Sequence, residues 1–192
     1  MVMKLLCATT NPDKFGVGYA SLKSFGVELE QVIIEIDEIQ HEDSRAIIED
    51  KVAKAFAILQ KPVVVTDDSW SIAALGGFPG PYMKSINHWF TPEDFMRLMT
   101  GHTDRQIALH QLVAYTDGVE TVIFSKDLVG EVVEEPRGTY GPTIMHVVAF
   151  PEDNGMTISE VYDTEGTHAS SRLEKVDNGW HELGKWLAVH RA

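Results

Sequence analysis

The sequence predicts an α/β fold, a central mixed β-sheet flanked by helices, and three observations carry that prediction. Short apolar runs alternate with helix-patterned stretches through the first half of the chain. Strand-like segments then follow one another in the second half. The punctuation between them, Asn11-Pro12, Gly80-Pro81 and Asp117-Gly118 among others, falls where an element has to stop or turn.

Met3 to Ala8 is short and apolar, a buried strand that stops at the turn and capping cluster Thr9-Thr10-Asn11-Pro12-Asp13. A helix is expected from Lys14 to Phe25, closed by Gly26, and a second strand from Leu29 to Ile36. Residues 44–60 read as an amphipathic helix: Ile48, Val52, Ala55 and Leu59 recur at steps of four, three and four and form one apolar stripe. Pro62 ends that helix, and Val63 to Thr66 is a β-branched strand running into Asp67 and Asp68. Thr91-Pro92-Glu93 offers an N-cap, a proline at the first helical position and an acidic first turn for a helix ending near Gly101. Strands are expected at 107–116, 119–126, 128–133 and 144–150, with a hairpin at Thr116-Asp117-Gly118, and a last helix over 177–190. Trp180, Trp186 and Leu187 are its packing face. With no internal repeat and no linker-like stretch, residues 1–192 read as a single domain.

Composition narrows the function. Apolar residues at 44% and charged residues at 23% match a soluble globular protein. Sixteen Lys and Arg against 29 Asp and Glu give a net charge of −13. Such a surface repels phosphate backbones and anionic lipid, so duplex nucleic acid and membranes are not expected partners. A small phosphorylated ligand stays open, because local cations and a divalent metal can outweigh the global field. The lone Cys7 cannot form an internal disulfide and sits in an apolar run, as core packing in a reducing cytosol would have it. The N-terminal apolar run is too short for the hydrophobic region of a signal peptide, so a cytoplasmic location is expected.

Two polar loops follow apolar strands. In residues 8–14, hydroxyls and an amide precede a helix N-terminus carrying Lys14, a combination that suits an anion. The same residues also read as a simple helix cap beside a surface lysine. In Asp67-Asp68-Ser69, adjacent carboxylates suit Mg²⁺, which takes oxygen ligands and needs only one or two carboxylates besides substrate phosphates. Neighbours in a strand point to opposite faces, so the two aspartates need not share one task. Glu49 and Lys54 lie about 140° apart around their helix, and Asp50 with Lys54 reads equally as a surface ion pair. Residues 74–82, Ala-Leu-Gly-Gly-Phe-Pro-Gly-Pro-Tyr, make a constrained loop just past the aspartates. Trp70 reads either as core packing or as a platform on which a base could stack. The eight histidines show no metal-ligand spacing.

Taken in order, these segments resemble the inosine triphosphate pyrophosphatases, house-cleaning enzymes for non-standard purine triphosphates. Thr9 to Lys14 matches the family's Thr-x-Asn-x-x-Lys loop, Glu49 and Lys54 its Glu and Lys five apart, and Asp67-Asp68-Ser69 with Ala74 to Tyr82 its acidic strand and Gly-Pro turn. Gly130 and Pro136-Arg137-Gly138 look like a later strand and turn. The resemblance implies an elongated two-lobed α/β fold, usually a homodimer, that hydrolyses a nucleoside triphosphate to a monophosphate and pyrophosphate. It implies that Thr10, Asn11, Lys14, Lys54, Ser69 and Arg172 hold the substrate. It implies that Glu49 and Asp67 or Asp68 hold Mg²⁺, and that Asp68 orients and deprotonates the attacking water.

The departures fall in the base-recognition half. Pro142-Thr143-Ile144-Met145-His146 stands where the family has Phe-Gly-Tyr/Trp-Asp-Pro, so the stacking aromatic and the carboxylate facing the purine edge are replaced. Ser170-Ser171-Arg172 keeps the Arg of a Ser-His-Arg motif and loses the His; Gly166 and Val17 replace a family Lys and Glu. The expectation is a pyrophosphatase with altered or relaxed base preference. Its rivals are an enzyme for a different, pyrimidine nucleotide and a non-catalytic nucleotide-binding protein that kept the phosphate pocket.

Overall fold

A computed structural model describes residues 3–166 and 177–190. Its strands are β1 (Met3–Ala8), β2 (Val27–Val32), β3 (Val63–Ile72), β4 (Pro79–Gly80), β5 (Gln106–Thr116), β6 (Thr121–Val132) and β7 (Val148–Ala149). Its α-helices are α1 (Pro12–Lys23), α2 (Ser44–Leu59), α3 (Met83–Trp89), α4 (Pro92–Leu98), α5 (Ile158–Glu165) and α6 (Gly179–His190). The sheet runs in the order β2-β1-β3-β5-β6-β7, with β4 beside β3. β1 lies parallel to β2 and β3, whereas β4 and β7 pair antiparallel with β3 and β6, so the sheet is mixed as expected. None of the described helices is long and apolar enough to cross a membrane.

By packing, the chain divides into two units, one drawn from residues up to Asp68, Gln111–Lys126 and α6, the other from Ser69–His110 and the described residues of 127–169. The first unit is a three-layer arrangement that follows from the period of two along its strands. Val64 faces one side of the sheet with Leu5, Cys7 and Tyr115, covered by α1 and α6. Val63 and Val65 face the other side with Leu112 and Ala114, covered by the Ile48-Val52-Ala55 stripe of α2. Trp180 is 1% exposed. A Cβ built on Gly18 would lie 2.6 Å from its ring, so α1 approaches α6 too closely for any side chain there. Removing that indole would cost about 3–5 kcal/mol. Cys7 is fully buried, and burial, partly offset by Lys51, pushes its thiol up to about 12. In the second unit, Trp70, Ile72, Phe95, Ile107, Val132 and Ile144 form the core. Trp70 stacks on Phe150 at 6.1 Å between ring centroids, which makes it a core residue and removes it as a platform for a base.

Helices α3 and α5 and the short β4 have no counterpart among the expected elements, and the expected ones differ from the structure in four places. β2 ends at Val32 rather than at Ile36, and the chain to Asp43 has no regular structure. β3 does not stop at Thr66: it continues to Ile72, where Trp70 and Ser71 pair with Gly80 and Pro79, so the two aspartates sit within a strand. The two segments expected at 119–126 and 128–133 are one strand, β6. Only Val148–Ala149 of the expected strand at 144–150 is extended, because Thr143–His146 forms a turn of 3-10 helix. The hairpin holds, with Asp117 Oδ1 accepting from the N–H groups of Val119 and Glu120, both at 2.9 Å.

Candidate active site

The extension of β3 through its aspartates determines where they point. Asp68 has the parity of Val64 and so lies on the α1 face; Asp67 has the parity of Val63 and Val65 and lies on the α2 face. The expected division between neighbouring carboxylates is therefore built into the pleat.

Lys14 is presented to Asp68 by the first turn of α1. Asn11 caps that helix, its Oδ1 accepting from Asp13 N at 2.8 Å and Lys14 N at 3.1 Å. Thr9 fixes the loop from the other side, its Oγ1 accepting from Asn11 N and its carbonyl from the Gln31 side chain. With the backbone held this way, Lys14 Nζ reaches Asp68 Oδ2 at 3.1 Å, both side chains about a quarter exposed (28% and 21%). Burial alone would lower the Lys14 pKa, but Asp68, Asp67 and Glu38 together raise it, so the ammonium remains charged. Asp67 is raised, first by burial and further by Asp68 and Glu38, against the opposing pull of Lys14 and Lys51.

Two buried oxygens on the α1 face of β3, Asp68 Oδ1 and Thr66 Oγ1, have no hydrogen-bond partner among the described residues. They stand two residues apart on one face. Leaving such groups dry and unpaired costs about 1–3 kcal/mol each, more for a charged one, so the pair marks a place prepared for something polar. A hard divalent cation meets that need through a carboxylate oxygen and substrate phosphates. No three His, Cys, Asp or Glu side chains among the described residues converge into a ready-made cage, and Mg²⁺ seldom requires one. On this face Asp68 and the Thr66 hydroxyl are oxygen donors that fit such an ion, while Asp67 offers its carboxylate on the opposite face.

The other residues named from sequence lie as follows. Lys54 Nζ donates to the Asp37 carbonyl at 2.6 Å and pairs with Asp50 at 2.7 Å. Glu49 pairs with Arg45 at 3.0 Å and is half exposed. Thr10 is exposed in the loop before α1. Ser69 follows Asp68 in β3, is 5% exposed, and belongs by packing to the second unit. Arg172 lies outside the described residues.

Sequence reasoning missed Lys51. Its ammonium pairs with Glu38 at 2.6 Å and donates to the Thr66 carbonyl at 3.1 Å, and its charge acts on Asp67. A helical wheel carries the signal: Lys51 sits about 60° from Ile48, beside the apolar stripe, whereas Lys54 sits about 120° away. A lysine flanking the stripe buries its stem against the sheet and lays its head along the strand. Glu38, in the irregular stretch after β2, had no periodicity to betray it.

Comparison with known proteins gives one consistent result. Residues 5–178 match the model of the Ham1 family. The chain is 31% identical over 176 residues to a dITP/XTP pyrophosphatase of Methanosarcina mazei, covering 91% of this chain and 94% of that one. It is 30% identical over 190 residues to a dITP/XTP pyrophosphatase of Pyrobaculum aerophilum, covering 96% of each. Among solved structures, a HAM1 protein from Coxiella burnetii superposes with a TM-score of 0.71 over 96% of this chain and 98% of that one; at 19% identity this speaks to the fold.

Proposed function

The chain belongs to the Ham1 family, and from that premise we propose that it hydrolyses non-standard nucleoside triphosphates to the monophosphate and pyrophosphate. The names of its relatives, dITP/XTP pyrophosphatases, support the reaction. The observation that carries it here is the Lys14–Asp68 contact, with the second Asp68 oxygen left unpartnered on a buried face.

In this reading Lys14 places a positive charge against the polyphosphate, and the cap at Asn11 fixes the backbone from which it projects. Lys51 adds a second charge, held along β3 by Glu38 and the Thr66 carbonyl. Thr10, Lys54, Ser69 and Arg172 are the remaining proposed substrate contacts, and Glu49 a proposed further metal ligand. Lys54 and Glu49 would have to leave Asp50 and Arg45 to serve. Asp68 orients a water and takes its proton at Oδ1 while Oδ2 stays on Lys14; the water oxygen bonds to the α-phosphorus as the bond from that phosphorus to the oxygen bridging to the β-phosphate breaks, and pyrophosphate departs. Bound Mg²⁺, held by Asp67 or Asp68, would neutralise charge developing on the phosphates.

Base preference is proposed to be relaxed, because residues 142–146 are occupied with structure. Thr143 donates to the Phe90 carbonyl at 2.7 Å, and Ile144 is buried. The His146 ring sits 3.1 and 3.2 Å from the carbonyls of Gly138 and Gly141. No carboxylate stands among these five residues. A homodimer in the cytoplasm completes the proposal, supported by the family resemblance and by the single, buried thiol.

The experiment is pyrophosphate release with Mg²⁺ across a panel of standard, deaminated and pyrimidine triphosphates. Release from several bases at comparable rates is expected. ITP and XTP far above all others would overturn the relaxed base preference. Tight nucleotide binding by calorimetry with no release from any would replace the enzyme with a binding protein. Light scattering at the mass of two chains is the expected oligomer result.

A further inference from the structure

On the face of the second unit's strands that turns away from its apolar core, three polar side chains line up in a relay. Ser71 Oγ lies 2.7 Å from His110 Nε2, and His110 Nδ1 lies 2.7 Å from Asp127 Oδ1. They come from β3, β5 and β6, separated by 39 and 17 residues in the chain. The alternation that sends Trp70 and Ile72, Ile107, and Val132 into the core sends these three to the opposite face. With the imidazole neutral, the carboxylate sets the hydrogen-bond roles. A carboxylate only accepts, so Nδ1 carries the proton; Nε2 is then an acceptor, and the Ser71 hydroxyl donates to it. A serine whose proton is already directed at an imidazole, itself oriented by a carboxylate, is the arrangement that makes a hydroxyl nucleophilic.

We propose that Ser71, His110 and Asp127 form a second reactive centre, built from none of the residues of the proposed pyrophosphatase site, in which Ser71 accepts an acyl or phosphonyl group from a small activated ester or fluoride. Ser71 Oγ attacks the carbonyl carbon or phosphorus, its proton passes to His110 Nε2, and Asp127 stabilises the resulting imidazolium. As the Oγ bond forms, the bond to the leaving group breaks; an alcohol departs with the proton from His110, or fluoride departs as the anion. Asp127 acts through His110 and is a positioning residue. The His110 side chain is 34% exposed, so a small electrophile has access. The neighbouring backbone N–H of Ile72 is committed to the Phe78 carbonyl at 2.9 Å and is not available to an oxyanion. The centre is therefore expected to capture one group per chain rather than turn over rapidly.

The test is labelling of the intact protein with an alkyl fluorophosphonate, read by intact mass and by sequencing of the labelled peptide. One adduct per chain on Ser71 is expected, absent in Ser71→Ala, which keeps its melting temperature and its pyrophosphate release. His110→Gln is expected to slow labelling by about 10²-fold or more. Asp127→Asn, at an exposed site that does not threaten folding, should slow it about tenfold or more, and Asp127→Glu should restore part of the rate. No adduct on Ser71, an adduct on another residue only, or labelling of Asp127→Asn and His110→Gln as fast as wild type would each overturn the proposal.

Discussion

Two charged clusters invite comparison, the one around Lys14 and Asp68 and the one around Arg137 and Glu160. In the second, every charge is closed locally. Arg137 Nε donates to Glu160 Oε2 at 3.0 Å, and the same oxygen accepts from Thr157 N at 2.8 Å as part of the α5 capping box. Nearby, Asp163 accepts from both the backbone N–H and the hydroxyl of Thr139, and Ser159 donates to the Tyr140 carbonyl at 2.7 Å. These bonds pin the turn after β6 onto α5. Around Lys14, by contrast, a carboxylate keeps one oxygen unpaired in a buried position and a second aspartate is raised by burial. Satisfied networks hold a fold together, whereas unsatisfied buried polar groups point to work. The same residue types serve both ends, and only the accounting of partners separates them.

That contrast can be broken most sharply at Asp68. Asp68→Asn should lower pyrophosphate release by about 10²–10⁴-fold with an unchanged circular dichroism spectrum; a variant as active as wild type would remove Asp68 as the proton acceptor. Next in size is the lysine series. Lys14→Ala and Lys51→Ala should each lower kcat/KM by about 10–100-fold, one to two steps of roughly 1.4 kcal/mol, and Lys54→Ala by less. Steady-state kinetics in which Lys54→Ala is the most damaging of the three would return the site to the residue the motif named.

At the closed cluster the expected effects are on stability alone. Arg137→Ala should cost about 1 kcal/mol, roughly 2–4 °C in Tm for a chain of this size, with kcat/KM unaltered. Glu160 sharpens the same point through pH. Burial opposes its ionisation, but bonds from Thr157 and Arg137 outweigh burial and hold its pKa below the ordinary value near 4.5. On acidification the unfolded chain takes up that proton first. The stabilisation is therefore whole above about 4.5, and it is lost as pH falls through the lower folded value. Thermal melts from pH 7 to pH 3 should show wild type losing more stability over the acid end than Glu160→Gln does; parallel curves would mean that the carboxylate contributes no proton linkage.

Much of this was legible beforehand, and the misses have physical causes. β1, α1 and α2 announce themselves because caps and apolar spacing agree with the final packing, as at Asn11 and along Ile48-Val52-Ala55. Two carboxylates look like the end of a strand, and only the pairing of Trp70 and Ser71 with β4 shows that β3 runs past them. α5 carried its signal openly, Thr157 and Glu160 three apart as a capping box, in a stretch whose polar residues hid its single buried face. Of the site, Lys14 and Asp68 could be paired from motif alone. Lys51 needed the wheel as well as the motif, and the Ser71-His110-Asp127 line could not be found from spacing, since three separate strands must be in register before it exists.

The burial of Cys7 has a practical consequence for spectroscopy. With the one native sulfhydryl sealed in the core and reluctant to ionise, the unaltered chain is a silent background for maleimide attachment. A cysteine introduced at Val119, 95% exposed on the hairpin tip, would accept a fluorophore or spin probe at a single address, with no need to engineer the resident one away.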